Sequence, residues 1–273
     1  MAIGSLGRVK FGSDFTGFGS DVKVPAATGE TLEGGIGLCG VNEGELNATV
    51  DESGGVIAIT TDTGDDDNEV LWAGVFVPSE GGMWMEARFK VPTSVAATRA
   101  AVFCGFTETL SKATPVMPFE RATATNTFNG TGGMLGVAFD SDSTILEAFA
   151  VAGDGAAGLT SLDAAGAATD ATGVQQVTGA GNGVPGGTIF TADRWYIVRV
   201  VIYPDGKGEV WFGDYDGGAS LTVPLRLVLK NTAVLGVNDV FHAVLMIENR
   251  SAANEELEVD YFMGEGGRQW AAN

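Results

Sequence analysis

Residues 194–214 read RWYIVRVVIYPDGKGEVWFGD, two alternating apolar runs on either side of Asp205-Gly206. Asp-Gly suits a tight turn, so the two runs are expected to fold back on each other as antiparallel strands. Successive side chains of an extended chain point to opposite faces. Tyr196, Val198, Val200 and Ile202 therefore share one face, and Trp195, Ile197, Arg199, Val201 and Tyr203 share the other. A strand apolar on nearly both faces belongs inside a layered structure, not on a sheet with one wet side.

The same period recurs along the chain, at 54–61, 69–77, 83–91, 99–107, 133–139, 144–151, 194–203, 208–213, 225–230, 241–248 and 256–263. In 83–91, Met83, Met85, Ala87, Phe89 and Val91 face inward, while Glu86, Arg88 and Lys90 face outward. No long stretch places apolar residues at helical spacing. Glycine is 41 of 273 residues, about twice the usual share, which fits many short strands joined by tight turns. The fold class is all-β, a sandwich or barrel.

Asp and Glu number 35 against 15 Lys and Arg, a formal net charge of -20. Such a chain repels nucleic acid phosphates and anionic lipid headgroups, so neither is an expected direct partner. No apolar run reaches membrane-spanning length. The opening MAIGSLGRVKFG carries no apolar signal-peptide core, so synthesis in a cytoplasm is the expectation. Cys39 and Cys104 sit in the apolar runs GIGLCGV and AVFCGF and read as buried thiols. Two cysteines and one histidine cannot build an ordinary Cys/His zinc site.

Residues 1–45 read as an N-terminal arm and 46–273 as the sandwich. Two segments interrupt the strands. Residues 111–132 read as an irregular loop. Residues 152–190 form an insertion rich in Ala, Gly, Thr and Asp, longer than a compact domain usually needs. Small, weakly polar side chains pack closely at little entropic cost, so this insertion is expected to contact a neighbouring subunit.

Three pieces stand in a familiar order: MWMEARFKVP at 83–92, the hairpin at 194–214, and ELEVDYFMGEGGR at 256–268. Together they resemble the concanavalin A-like lectin/glucanase superfamily over roughly residues 45–265. The resemblance implies a jelly roll of two large antiparallel sheets. Members of that superfamily include lectins, glucanases, laminin-G modules and structural domains of bacteriophage virions, so the fold does not choose a function.

Each option makes its own demand on the residues. A retaining glucanase needs two carboxylates about 5 Å apart, and the family resembled here carries them as Glu-x-Asp-x-Glu on one strand. The nearest run is Glu256-x-Glu258-x-Asp260. Its order of residue types differs and it lies on the last strand, so it reads as an outward acidic face opposite a core stripe of Leu257, Val259, Tyr261 and Met263. Thr63-Gly64-Asp65-Asp66-Asp67-Asn68 offers oxygen ligands for calcium but lacks EF-hand spacing, and reads as a solvated turn. Trp72, Trp84, Trp195 and Trp211 lie in strands and read as core or sheet-face residues; Trp270 is the one expected to meet a partner. His242 reads as structural, and Arg199 as paired with an acidic neighbour. No catalytic, cofactor or metal site is expected.

The leading expectation is a non-enzymatic virion structural protein. It would be a decoration or cement protein of a tailed bacteriophage, on the capsid exterior, bound to the major capsid protein and forming a homo-oligomer, with a trimer as the natural geometry. The phage assignment comes from the resemblance. The alternative is a carbohydrate-binding module of a tail fibre or adhesin, which predicts an exposed aromatic platform for a host-surface glycan. A glycoside hydrolase is third.

Overall fold

The computed structural model describes residues 8–15, 22–23, 30–31, 33–41, 44–48, 55–91, 100–123, 125–129, 132–143, 148–154, 157–158, 162–163, 174–176, 194–216, 223–231 and 235–267. In chain order its strands begin with β1 (Arg8–Ser13), β2 (Val22–Lys23), β3 (Glu30–Thr31), β4 (Ile36–Gly40), β5 (Glu45–Ala48), β6 (Ile57–Thr60) and β7 (Asn68–Phe76). Next come β8 (Met83–Val91), β9 (Ala100–Thr107), β10 (Phe119–Ala122), β11 (Thr125–Phe128), β12 (Gly133–Asp140), β13 (Phe149–Asp154), β14 (Ala157–Gly158), β15 (Leu162–Asp163) and β16 (Val174–Gln176). The last are β17 (Arg194–Ile202), β18 (Gly208–Asp216), β19 (Val223–Asn231), β20 (Phe241–Asn249) and β21 (Glu256–Gly267). Among the described residues the only helical elements are single 3₁₀ turns, and no helix is long and apolar enough to cross a membrane.

The strands form a two-sheet antiparallel jelly-roll sandwich, as the sequence pattern requires. The first sheet runs β15-β19-β18-β17-β8-β21-β6-β5-β2, with β1 also paired to β21. The second runs β14-β13-β12-β9-β20-β7-β4-β3, with β16 also on β13. Between them lies one core. The first sheet supplies Met85, Phe89, Tyr196, Val198, Phe212, Val259 and Phe262; the second supplies Leu38, Leu71, Val102, Phe106, Val137 and Leu245. Phe89, Tyr196 and Phe212 stack across three neighbouring strands, with centroids 6.1 and 5.8 Å apart. Cys104 is buried in this core and Cys39 on the far side of the second sheet; both are free thiols.

Four local readings change. The second apolar face of β17 does not enter a core. It is the outside of the first sheet, where Arg199 pairs with Glu86 at 2.5 Å and the Arg88 guanidinium lies 4.6 Å from the Trp195 ring centre. In β21 a bulge between Val259 and Tyr261 reverses the alternation. Phe262 therefore enters the core, and Tyr261 and Met263 join the outside instead of the predicted core stripe. Within 111–132, β10 and β11 pair as a hairpin. It brings Phe119 and Phe128, with Met117, down onto the outer face of the second sheet, so that face is a second apolar layer. Finally, the described pieces of residues 1–45 are strands of both sheets, and Phe11, Phe15, Ile36 and Leu38 belong to the core.

The described pieces of the 152–190 insertion also pair within the chain. β14 and β16 extend β13, and β15 extends β19. They cover the edge strands of both sheets, which would otherwise offer unpaired backbone groups.

One core position is out of keeping with its surroundings. Glu69, on β7, is 0% exposed and lies against Gly40 and Gly44. Burial pushes its pKa from 4.5 up to about 9; the facing Gly44 N–H offsets part of this, and Asp67 and Asp62 add to it. The folded state thus holds a proton that the unfolded chain releases. Its contribution to stability is complete below pH 4.5 and is lost as the pH climbs towards about 9. Glu69→Gln keeps the shape without the ionisation. In urea unfolding across that pH range, the variant is expected to gain about 2 kcal/mol or more over the parent at the alkaline end, with little difference at the acid end. Parallel pH profiles would refute this account.

Candidate binding cleft

The hairpin that dominates the sequence also builds a concavity. β17 and β18 are in register from Arg194↔Asp216 to Ile202↔Gly208. Beyond that pair, the Tyr203 N–H donates to the Lys207 carbonyl at 2.7 Å and the Gly206 N–H to the Tyr203 carbonyl at 2.9 Å. Pro204 and Asp205 are therefore the central turn residues, with Pro204 supplying the φ that the first position needs. Gly206 follows with φ 79°, in the left-handed region, giving a turn-plus-bulge closure in place of a two-residue Asp-Gly turn. The Leu235 N–H donates to the Gly206 carbonyl at 3.0 Å and pins the turn to the loop before β20.

This turn, with the facing ends of β18 and β19, encloses an open cleft of about 450 Å³ lined by Tyr203, Pro204, Asp205, Lys207, Gly208, Glu209 and Lys230. Tyr203 is 40% exposed and is the one exposed aromatic side chain among the residues whose burial is described. Partial burial first, then a hydrogen bond to the Glu209 carboxylate, raise its phenol pKa. Glu209 also accepts the Trp211 Nε1–H at 3.3 Å. Across the sheet, Lys230 stands opposite Glu209. Lys207 Nζ donates to Asp205 Oδ2 at 2.7 Å, and that hydrogen bond holds the Asp205 carboxyl below its ordinary pKa. The cleft thus offers a ring face, two carboxylates as acceptors and two ammonium groups as donors. A general acid for glycoside cleavage needs a raised carboxyl; Asp205 is shifted the other way.

The residues considered from sequence fall elsewhere. Glu258 pairs with Lys90 at 2.6 Å, Asp260 with Arg88 at 2.7 Å, and Glu256 accepts from Thr60. All three are engaged on the outside of the first sheet. Trp84, Trp195 and Trp211 are on the same outside and Trp72 is on that of the second sheet; each is buried or half-buried. Trp270 lies outside the described residues. His242 places Nδ1 2.9 Å from the Gly74 carbonyl, and burial lowers its pKa.

The acidic turn at 63–68 is not simply solvated. Asp67 accepts the Gly64 N–H at 2.7 Å, and Asp66 reaches Arg250 at 3.3 Å. Arg250, whose side chain is 7% exposed, grips Asp140 through two nitrogens, at 2.9 and 3.3 Å, and meets Glu248 at 2.7 Å and Glu120 at 3.7 Å. Burial opposes its charge, but these carboxylates outweigh that and raise its pKa. Burial likewise lifts Glu248 to about 7, against the pull of Arg250. The guanidinium therefore gathers the 63–68 turn, β10, β12 and β20. No group of three or more His, Cys, Asp or Glu among the described residues has metal-holding geometry. Neither the cleft nor this cluster was singled out from sequence. Tyr203 had been placed only on the second face of β17, and Arg250 had no local signal because its partners are spread over almost the whole chain.

No known family's sequence profile matches the chain, and no curated protein matches it. Among solved structures, the fold is similar to a protein of unknown function from Shewanella oneidensis MR-1. The TM-score is 0.58 at 14% identity, covering 96% of this chain and 87% of that one. It is also similar to the carbohydrate recognition domain of Emp47p, with a TM-score of 0.48 at 11% identity, covering 94% and 97%. For peanut lectin the TM-score is 0.42 at 12% identity, again covering 94% and 97%. The first likeness is one of fold alone, and the two below 0.5 carry no argument.

Arg250→Ala would leave Asp140 and Glu248 buried without their cation. Urea unfolding is expected to show a loss of about 3–5 kcal/mol. A loss under about 1 kcal/mol would mean that the cluster behaves like a surface pair.

Proposed function

We propose that this chain is a non-catalytic carbohydrate-binding module whose saccharide lies in the Tyr203 cleft. One observation carries the reading: an exposed aromatic ring, that of Tyr203, is also the wall of a cleft edged by Asp205, Lys207, Glu209 and Lys230. A pyranose has an apolar C–H face and a rim of hydroxyls. A half-exposed tyrosine takes the face, and fixed carboxylates and ammonium groups take the rim. Acceptors and donors of both signs stand in the cleft together, which suits a neutral, hydroxyl-rich ligand. The Emp47p domain is named for carbohydrate recognition, but the reading stands on the cleft.

Calorimetry against a panel of neutral oligosaccharides tests it. At least one sugar is expected to bind; Tyr203→Ala should weaken it about tenfold or more, near 1.4 kcal/mol, and Tyr203→Phe should keep most of the affinity. No binding across the panel, or binding indifferent to Tyr203→Ala, would reject the reading.

A second reading, a decoration protein on the outside of a tailed-phage capsid, is favoured by a different face. On the outside of the first sheet Trp84, Ile197, Val201, Trp211, Tyr261 and Met263 are all half-buried. Their apolar surface, set among ion pairs, suits docking onto a protein lattice, with self-association of this chain as a further part of the proposal. The purified chain is then expected to sediment with empty capsids in moderate salt, and Trp211→Glu to abolish this. Failure to co-sediment would remove the reading.

A further inference from the structure

Trp72 lies on the outer face of the second sheet, paired in register with Val244 on one side and Gly37 on the other. A Cβ at residue 37 would stand 2.3 Å from the indole, so only glycine lets the ring settle on the β4 backbone. Lys112 caps the ring, its Nζ 3.6 Å from the ring centre. The indole Nε1–H is buried and has no acceptor, an unfavourable state for a donor. His242 stands edge-on, its ring centre 6.4 Å from that of Trp72. Because the Gly74 carbonyl can only accept, the hydrogen bond puts the His242 proton on Nδ1 and leaves Nε2 as a free acceptor.

Lys112 itself is exposed and makes no ion pair among the described residues, in a chain with 35 acidic residues. Residues 109–114 are held by short-range bonds, the Thr109 N–H to Thr107 Oγ1 at 3.2 Å and Ser111 Oγ to Thr114 Oγ1 at 3.1 Å, between two anchors, the Glu108 N–H to the Gly133 carbonyl at 3.0 Å and Asn68 Nδ2 to the Pro115 carbonyl at 2.8 Å. The Lys112 side chain can therefore lift while both anchors stay in place.

We propose that Trp72 is a second ligand platform, shut by Lys112 in the free protein, and that it takes a ring compound bearing a carboxylate. The ring of the ligand replaces the ammonium on the indole. Lys112, displaced, pairs with the carboxylate, and a ligand oxygen reaches the orphan indole N–H. Cation–π contact and ion pairing are exchanged at the same lysine, so a neutral ring has to displace Lys112 without compensation. The chain's net negative charge slows the approach of an anion, but over the Debye length of about 8–10 Å the local lysine governs the contact. Two kinds of ring share this chemistry, a uronic acid and an aromatic carboxylate.

The experiment follows the Trp72 indole N–H resonance in the full chain, assigned by its loss in Trp72→Phe, or in Trp72→Tyr should the first variant fail to fold. Sodium D-glucuronate and sodium benzoate are titrated, with D-glucose and benzyl alcohol as neutral counterparts. One anionic probe is expected to shift this resonance saturably, and its neutral counterpart to bind about tenfold or more weakly. A response to glucuronate assigns the site to acidic saccharides; a response to benzoate alone assigns it to aromatic acids. Lys112→Gln, on an exposed position, should keep the parent's Tm and erase the preference for the anion. The proposal is overturned if neither anion moves the resonance, if neutral and anionic probes bind alike, or if the preference survives in Lys112→Gln.

Discussion

The register of β8 between β17 and β21 is the constraint on which the rest of the molecule depends. Phe89 opposite Tyr196 and Val259, and Ala87 opposite Val198 and Phe262, put one continuous apolar row of three strands on the core side. The same register puts Glu86 beside Arg199 and Lys90 beside Glu258 on the other. A slip of one residue would send Glu86, Arg88 and Lys90 into the core. Apolar burial and ion pairing thus enforce the same alignment from opposite faces. Lys90, Glu258 and Glu86 are buried and Arg199 is exposed, and the value of these pairs lies more in excluding wrong registers than in net stability.

The two outer faces use different physics. That of the first sheet is a lattice of cations, carboxylates and tryptophans, with Lys90 and Arg88 both near the Trp195 ring. That of the second sheet is apolar in its middle and sealed by the β10–β11 hairpin, with the Arg250 cluster at one end and the Trp72–Lys112 contact beside the other. A sealed middle leaves the rims and turns for ligands. The Tyr203 cleft is such a place: a rigid hairpin presents it, and a backbone bond from Leu235 holds it still.

Alternation along single strands was enough to read the all-β class, the inward and outward residues of β8, and which side chains of β17 share a face, though not that its second face lies outside the core. Each of these follows from a two-residue period that needs no knowledge of distant partners. The alternation could not announce the bulge at Asp260, because one inserted residue leaves no mark in composition. It could not show that 119–128 is a hairpin, since its apolar residues are only Phe119, Ala122, Ala124 and Phe128. Nor could it show that residues 8–15 and 36–40 lie in the sheets, because Gly-rich flanks hide short strands.

The order of residues along the chain therefore settles the layering: which side chains leave water, and that two antiparallel sheets are needed to hide them. Tertiary structure alone decided where polar groups meet. Asp66, Glu120, Asp140 and Glu248 converge on Arg250, Lys112 finds Trp72, and Tyr203 and Lys230 line one cleft. Burial is a property that each residue carries along the chain, whereas a binding site is a set of distances that exists only after the strands have crossed between the sheets.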